Sequence, residues 1–230
     1  MQTLTLRGIS SMATRQVLAE LAGAYRQGSG IEVAFESVGG VDAARRVQAG
    51  EAFDLVVLDA AALDKLVASG HVVADSRVGV VRSPVAIAVR AGSPWPDIGS
   101  ADALKRAVLA ARTLGYSTGP SGTALLQLFE RWGISDALRE RLVQAPSGVP
   151  VAKLVAAGEV ELGFQQYSEM LNAPGIEVPG TMPADCAIVS TFVAGLCATS
   201  TQPEAVCTLL AYLQSPAATD AKRRHGMEPM

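Results

Sequence analysis

Histidine is nearly missing from this chain. Its two copies, His71 and His225, stand far apart in polar, turn-like stretches. They offer no material for a histidine metal site or a histidine-based nucleophile triad. Cysteine is almost as scarce. Cys186, Cys197 and Cys207 are odd in number, lack metal-type spacing and each sit in an apolar neighbourhood. That argues against a structural disulfide and against a catalytic thiol. Positive charge is not in excess either: 19 Lys and Arg stand against 22 Asp and Glu, a net charge of −3. The one dense basic triplet, Lys222-Arg223-Arg224, has the position of a last helical turn, where the dipole favours cations. Nucleic acid is therefore not an indicated partner. No run approaches the ~18 apolar residues of a membrane span, so membrane insertion is not expected. No charged and apolar leader precedes Met1–Arg7, which reads at once as a strand. The chain as it stands reads as cytoplasmic; with a signal peptide removed, it would be periplasmic. Neither a GxGxxG fingerprint nor a Walker-type GKT or GKS is present, and no cofactor is expected.

What is present is apolar material in a β-α rhythm. The 230 residues are 49% hydrophobic, enough for one large domain or two modest lobes. Thr3–Arg7 alternates as a strand and stops at Gly8-Ile9-Ser10-Ser11, after which Val17, Leu18, Leu21 and Tyr25 recur at helical spacing. Ile31–Phe35 is a second strand, ending at Glu36-Ser37-Val38-Gly39-Gly40 before a short helix. Leu55-Val56-Val57-Leu58 is a continuous apolar run, as a parallel strand buried on both faces requires, and Asp59 is placed to cap the helix that follows. Three β-α units in succession predict a parallel sheet with right-handed crossovers. The pattern changes after Gly70. Val78–Val81 and Pro84–Val89 read as strand pieces divided by a proline, where the chain leaves one lobe for another. A second β-α series runs through Thr113–Ser117, the helix from Ser121, a short helix over Val149–Ala157 and the strand Val160–Gln165. Cys186–Ala198 is the return crossing. The expectation is an α/β protein with residues 1–83 and 189–230 in one lobe and 84–188 in the other.

Four glycine-bearing or serine-bearing loops precede helices: Gly8–Ser11, Ser37–Gly40, Thr118–Thr123 and Ser147–Val149. A strand that turns straight into a helix leaves free amides at the helix start, where the dipole favours an anion. In an open parallel sheet, ligands bind outside the carboxyl ends of the strands. Gly119-Pro120-Ser121-Gly122-Thr123 is the most specific of the four, since two glycines bracket Pro and Ser just before a helix. Ser10 and Ser11 also read simply as caps, and Ser37 before two glycines as a turn.

The order and spacing of these segments resemble the molybdate-binding proteins of ABC importers, a branch of the type II periplasmic binding proteins. The resemblance runs through the opening strand and serine loop, Phe35-Glu36-Ser37, Phe53-Asp54-Leu55-Val56 and Ser121-Gly122 with Leu128 and Trp132-Gly133-Ile134. It continues through Val151–Phe164 to Tyr212-Leu213-Gln214-Ser215. It implies two lobes joined by two crossings, and an oxyanion held by hydroxyls and backbone amides. By position that implicates Ser10 or Ser11, Ser37, Ser121 with its neighbours Gly119, Gly122 and Thr123, and Val149. If the chain is exported, an ABC permease becomes the implied partner. Two positions depart from the pattern. The family's usual tyrosine is Gln166 here, with Tyr167 one later, and Arg15 lies about one turn into the first helix. A guanidinium suits a di- or tricarboxylate better than a tetrahedral dianion held by neutral donors. A neighbouring branch, which includes aconitate isomerase, is similar through Gly163-Phe164-Gln165-Gln166-Tyr167-Ser168-Glu169.

Two functions follow. The first is binding of a small anion, oxyanion or polycarboxylate, between closing lobes without turnover. The second is a cofactor-independent isomerase that moves a proton along an unsaturated tricarboxylate, which needs a base and an acid near the carbon skeleton. Without a suitable histidine, the candidates are Glu169, Glu36, Tyr116 and Tyr167.

Overall fold

A computed structural model describes residues 4–230; Met1, Gln2 and Thr3, and with them the first residue of the expected opening strand, lie outside the described residues. In chain order the first elements are β1 (Thr5–Ser11), α1 (Arg15–Ser29), β2 (Glu32–Val38), α2 (Gly40–Gln48), β3 (Leu55–Asp59), α3 (Ala60–Ala68) and β4 (Val78–Arg90). Then come α4 (Ala101–Ala110), β5 (Leu114–Tyr116), α5 (Pro120–Arg131), α6 (Ser135–Leu138), β6 (Leu142–Gln144) and α7 (Val151–Ala157). The chain ends with β7 (Leu162–Gln166), α8 (Tyr167–Met170), β8 (Ile176–Thr181), β9 (Val189–Leu196), α9 (Pro203–Gln214), α10 (Thr219–Arg224) and β10 (Glu228–Pro229). The chain forms two compact units. One holds the residues up to Arg82 together with Thr191–Met230, and the other is Ser83–Ser190. Two strands, β4 and β9, carry the chain across that boundary.

In the first unit β1 pairs in parallel with both β2 and β3, and β9 runs antiparallel beside β3. Helices cover both faces, which is why β3 is apolar at successive positions. Leu55 and Val57 join Leu18, Leu21 and Leu209 on one side; Val56 and Leu58 join Val47, Leu63 and Leu66 on the other. All four β3 residues are fully buried, each side chain worth about 1.5–3 kcal/mol of hydrophobic stabilisation. In the second unit β5 pairs in parallel with β6 and β7, and β4 runs antiparallel to β7 and β8. Its sheet is likewise sandwiched. Ile87, Leu104, Leu125, Phe129 and Phe164 pack on one face; Ala88, Val151, Val155 and Met170 pack on the other.

Two expectations are corrected. The opening strands do not stop short of their serines: β1 runs on through Ser11 and β2 through Val38, so Ser10 and Ser37 are strand residues in register with each other. Gly8 is compatible with the strand because only a missing side chain admits the Phe35 ring, which a Cβ would meet at 2.5 Å. Val78–Arg90 is one strand, not two pieces, with Pro84 inside it. The basic triplet does stand in the last turn of α10. Lys222 is buried, and its ammonium donates to the Leu213 carbonyl at 2.6 Å.

Candidate functional site

The parallel strands of the first unit end together. The register Ser10↔Ser37 puts the two hydroxyls 2.8 Å apart. Ser10 is buried; Ser37 is half-buried. Ser11 is a cap, its hydroxyl accepting from the Ala13 amide at 3.2 Å in the turn that leads into α1. Next to Ser37, α2 opens on Gly39 with no side-chain cap. Asp59, at the end of β3, accepts from the Ala61 amide at 3.0 Å and caps α3, while burial pushes its carboxyl above the usual range. Arg15, the first residue of α1, is exposed and lines a groove of about 290 Å³ with Ser37, Phe35, Arg26 and Glu32. Among the described residues it pairs with no acidic side chain. The structure thus brings Ser10, Ser37 and Arg15 to one corner of the unit.

Glu36 does not join them. Successive side chains of a strand point to opposite faces, so Glu36 turns away from Ser37. Arg46 of α2 grips both its oxygens, with one contact at 2.9 Å, and also holds Glu51. The guanidinium keeps the Glu36 carboxyl below the usual carboxylate range. An exposed, ion-paired carboxylate is a poor general base, which corrects the expectation for Glu36.

In the second unit the end of β5 feeds α5. The Ser117 and Ser121 hydroxyls lie 3.2 Å apart, Gly119 is the N-cap and Pro120 opens the helix. Gly122 is imposed by packing: a Cβ there would stand 1.9 Å from the Ser117 carbonyl oxygen and 3.1 Å from the Tyr116 ring. Thr123 is exposed, its amide donating to the Gly119 carbonyl at 3.2 Å. Tyr116 is half-buried at the end of β5, its carbonyl accepting from Ala145 at 2.9 Å. The Val149 amide is engaged within its own turn. It donates to the Pro146 carbonyl at 2.9 Å, with Gly148 at a φ of +78° making the turn possible.

Beyond β7 the polar groups are amides and a carboxylate. Gln165 is buried; its oxygen accepts from the Val151 amide at 2.7 Å and its NH2 donates to Glu169 Oε1 at 2.8 Å. Gln166 is buried, donates to Ser190 Oγ at 2.6 Å and leaves its carbonyl oxygen without a partner. Tyr167 packs half-buried against the core beneath α7. Sequence reasoning passed over Gln165 and Ser190. Two consecutive glutamines at a buried strand end were the available signal, because a buried carboxamide must find partners. The cysteines are free. Cys186 and Cys197 are buried, and burial pushes the Cys197 thiol up to about 12. Cys207 is exposed, contrary to its apolar sequence surroundings. Among the described residues no three His, Cys, Asp or Glu gather as a metal site, and no helix is long and apolar enough to cross a membrane.

Comparison with known proteins agrees with this architecture. The chain is 37% identical over 232 residues to an aconitate isomerase from a Pseudomonas species, covering 98% of this chain and 88% of that relative. Its fold matches the periplasmic molybdate-binding protein of Azotobacter vinelandii with a TM-score of 0.79 at 21% identity, over 96% of this chain and 98% of the other. It also matches the sulfate-binding protein SubI of Mycobacterium tuberculosis with a TM-score of 0.79 at 18% identity, over 99% and 87% of the two chains. At such identities the likeness is one of fold, that of the type II periplasmic binding proteins. Residues 6–228 match the bacterial extracellular solute-binding protein family, and the chain belongs to that family.

Proposed function

We propose that this protein recognises a small anion in the manner of a solute-binding protein, and that the anion is a di- or tricarboxylate. The observation that carries the reading is the Ser10–Ser37 hydroxyl pair, 2.8 Å apart, with Arg15 in the groove beside Ser37. Serine hydroxyls rotate to donate, and a guanidinium matches a planar carboxylate with two parallel hydrogen bonds. Ser11, Gly119, Ser121, Gly122, Thr123, Val149 and Gln166 belong to the same reading. A permease partner, with export of the chain, belongs to it too. A thermal-shift series with molybdate, tungstate, sulfate, citrate and cis- and trans-aconitate tests the idea. A ligand at a hundred times its dissociation constant stabilises by about 2.7 kcal/mol. Stabilisation by molybdate but by none of the carboxylates would falsify the carboxylate reading.

One observation favours a second reading, a cofactor-independent isomerase of an unsaturated tricarboxylate. The relative that carries that activity in its name matches 98% of this chain. Glu169 is the base this reading requires, with Tyr116 and Tyr167 as candidate acids. Incubation with cis-aconitate followed by proton NMR decides it: accumulation of the trans isomer is expected, and an unchanged spectrum removes the reading.

A further inference from the structure

We propose that Gln165 is a positioning residue that holds Glu169 as a proton-accepting carboxylate; the proposal rests on the isomerase reading above. Gln165 is only 4% exposed, so both ends of its carboxamide must be satisfied by protein groups. The Val151 amide, which opens α7, approaches one end at 2.7 Å. A backbone N–H can only donate, so the glutamine oxygen must face it and the amide cannot turn over. The NH2 is thereby committed to Glu169 Oε1 at 2.8 Å. An NH2 group has only protons to offer, so Oε1 must offer a lone pair. An ionised carboxylate does this freely. A protonated carboxyl does it only through its carbonyl oxygen, with the proton confined to Oε2. Gln165 therefore favours the ionised form, which can accept a proton.

The step this serves is balanced. The Glu169 carboxylate takes a proton from the carbon next to a carboxylate; a C–H bond breaks and an O–H bond forms. The C–H electron pair moves the double bond along the allylic carbons, and a proton is returned at the far carbon. Nothing is oxidised or reduced, and no co-reactant is needed. The Val151 amide also ties this carboxylate to the start of α7, so one side chain serves both a helix cap and the base.

The two roles separate by mutation in the full-length chain, with cis-aconitate as the probe and pH profiles of kcat and kcat/KM as the readout. Gln165→Met removes both hydrogen bonds. The expected result is a lower melting temperature and an acid limb displaced upward by about one to two pH units, the scale of a hydrogen bond to a charged group. Gln165→Glu restores an acceptor for Val151 but turns an acceptor toward Glu169. It should regain much of the lost melting temperature while moving the acid limb at least as far, with citrate affinity near the wild-type value. If both variants leave the acid limb in place while Glu169→Gln abolishes turnover, Gln165 is a structural cap and the proposal fails with the isomerase reading intact. If the wild-type chain does not convert cis-aconitate, or Glu169→Gln converts it at the wild-type rate, that reading fails and takes the proposal with it.

Discussion

The strand ends of the two units are built from different chemistry. In the first, Ser10 and Ser37 meet hydroxyl to hydroxyl, and Arg15 stands nearby, paired with no acidic side chain among the described residues. In the second, Gln165 joins a backbone amide to Glu169, and Gln166 is fastened to Ser190. A hydroxyl can donate or accept and rotates at little cost, so the first corner adapts to whichever anionic oxygen arrives. A carboxamide facing an obligate donor has one orientation, so the second corner is fixed before any ligand comes. On the proposed reading, recognition and chemistry ask for different side chains on the same β-α scaffold. Adaptable donors suit charge recognition, whereas a base must be held still.

The sharpest way to break this comparison acts on the second unit. Gly122→Ala would ordinarily stabilise a helix by roughly 0.5–1 kcal/mol. Here the new Cβ meets the Ser117 carbonyl at 1.9 Å, and a loss of about 3 kcal/mol, at the top of the range for overpacking, is expected in urea unfolding. An unchanged or higher midpoint would show that the α5 start is not locked as described. Arg15→Ala tests the first unit. Citrate affinity should fall roughly ten- to a hundredfold by isothermal titration, the scale of hydrogen bonds to a charged group, while sulfate is little affected. Equal losses for both anions would remove Arg15 from carboxylate recognition. Ser10→Ala in the same assay should cost about tenfold for every anion.

Smaller effects report on each unit separately. Cys197 lies in the first unit and Cys186 in the second, both buried, while Cys207 is exposed. In the Cys207→Ser protein, thiol reagents should label neither buried site until its unit opens, because burial raises both thiols and shields them. A ligand that protects only one of the two would locate its grip in that unit. The smallest effect is that of acid. Glu36 and Glu51 are held low by hydrogen bonds from Arg46 in the first unit, and Glu177 by Trp95 and the Gly92 amide in the second. Their folded values lie below the ordinary 4.5. The stability they contribute is therefore complete above that pH and is lost as pH falls through the lowered values. Arg46→Leu should flatten this acid loss in the first unit's hydrogen exchange and leave the second unit's unchanged, whereas Trp95→Phe should do the reverse. All these carboxylates are surface groups, so both changes will be modest.

Much of this was legible in the chain itself. The unbroken run Leu55–Leu58 announced a strand covered on both faces, and it is fully buried. Asp59 was readable as a cap and is one. Gly119–Gly122 before a periodic apolar run announced a strand turning into a helix, and α5 starts at Pro120. Less legible were the strand ends. The Gly8-Ile9-Ser10-Ser11 stretch looks like a loop because glycine and serine are poor strand formers, yet pairing on both sides keeps it extended. Glu36 looked available because an ion pair with a residue ten positions on leaves no periodic trace.

The sequence by itself determined the alternation of strands and helices, their apolar faces and the supply of small polar residues where strands turn into helices, because these depend on propensities and periods within one element. Only the tertiary structure decided which polar groups meet. Ser10 faces Ser37 because of the β1–β2 register, Arg46 takes Glu36 because α2 packs beside β2, and Gln165 reaches Val151 and Glu169 because α7 and α8 flank β7. A one-residue slip in register would turn these side chains to opposite faces. Hydrogen bonds and ion pairs reach only a few ångströms, so it is packing, and not the order of residues, that selects which of them form.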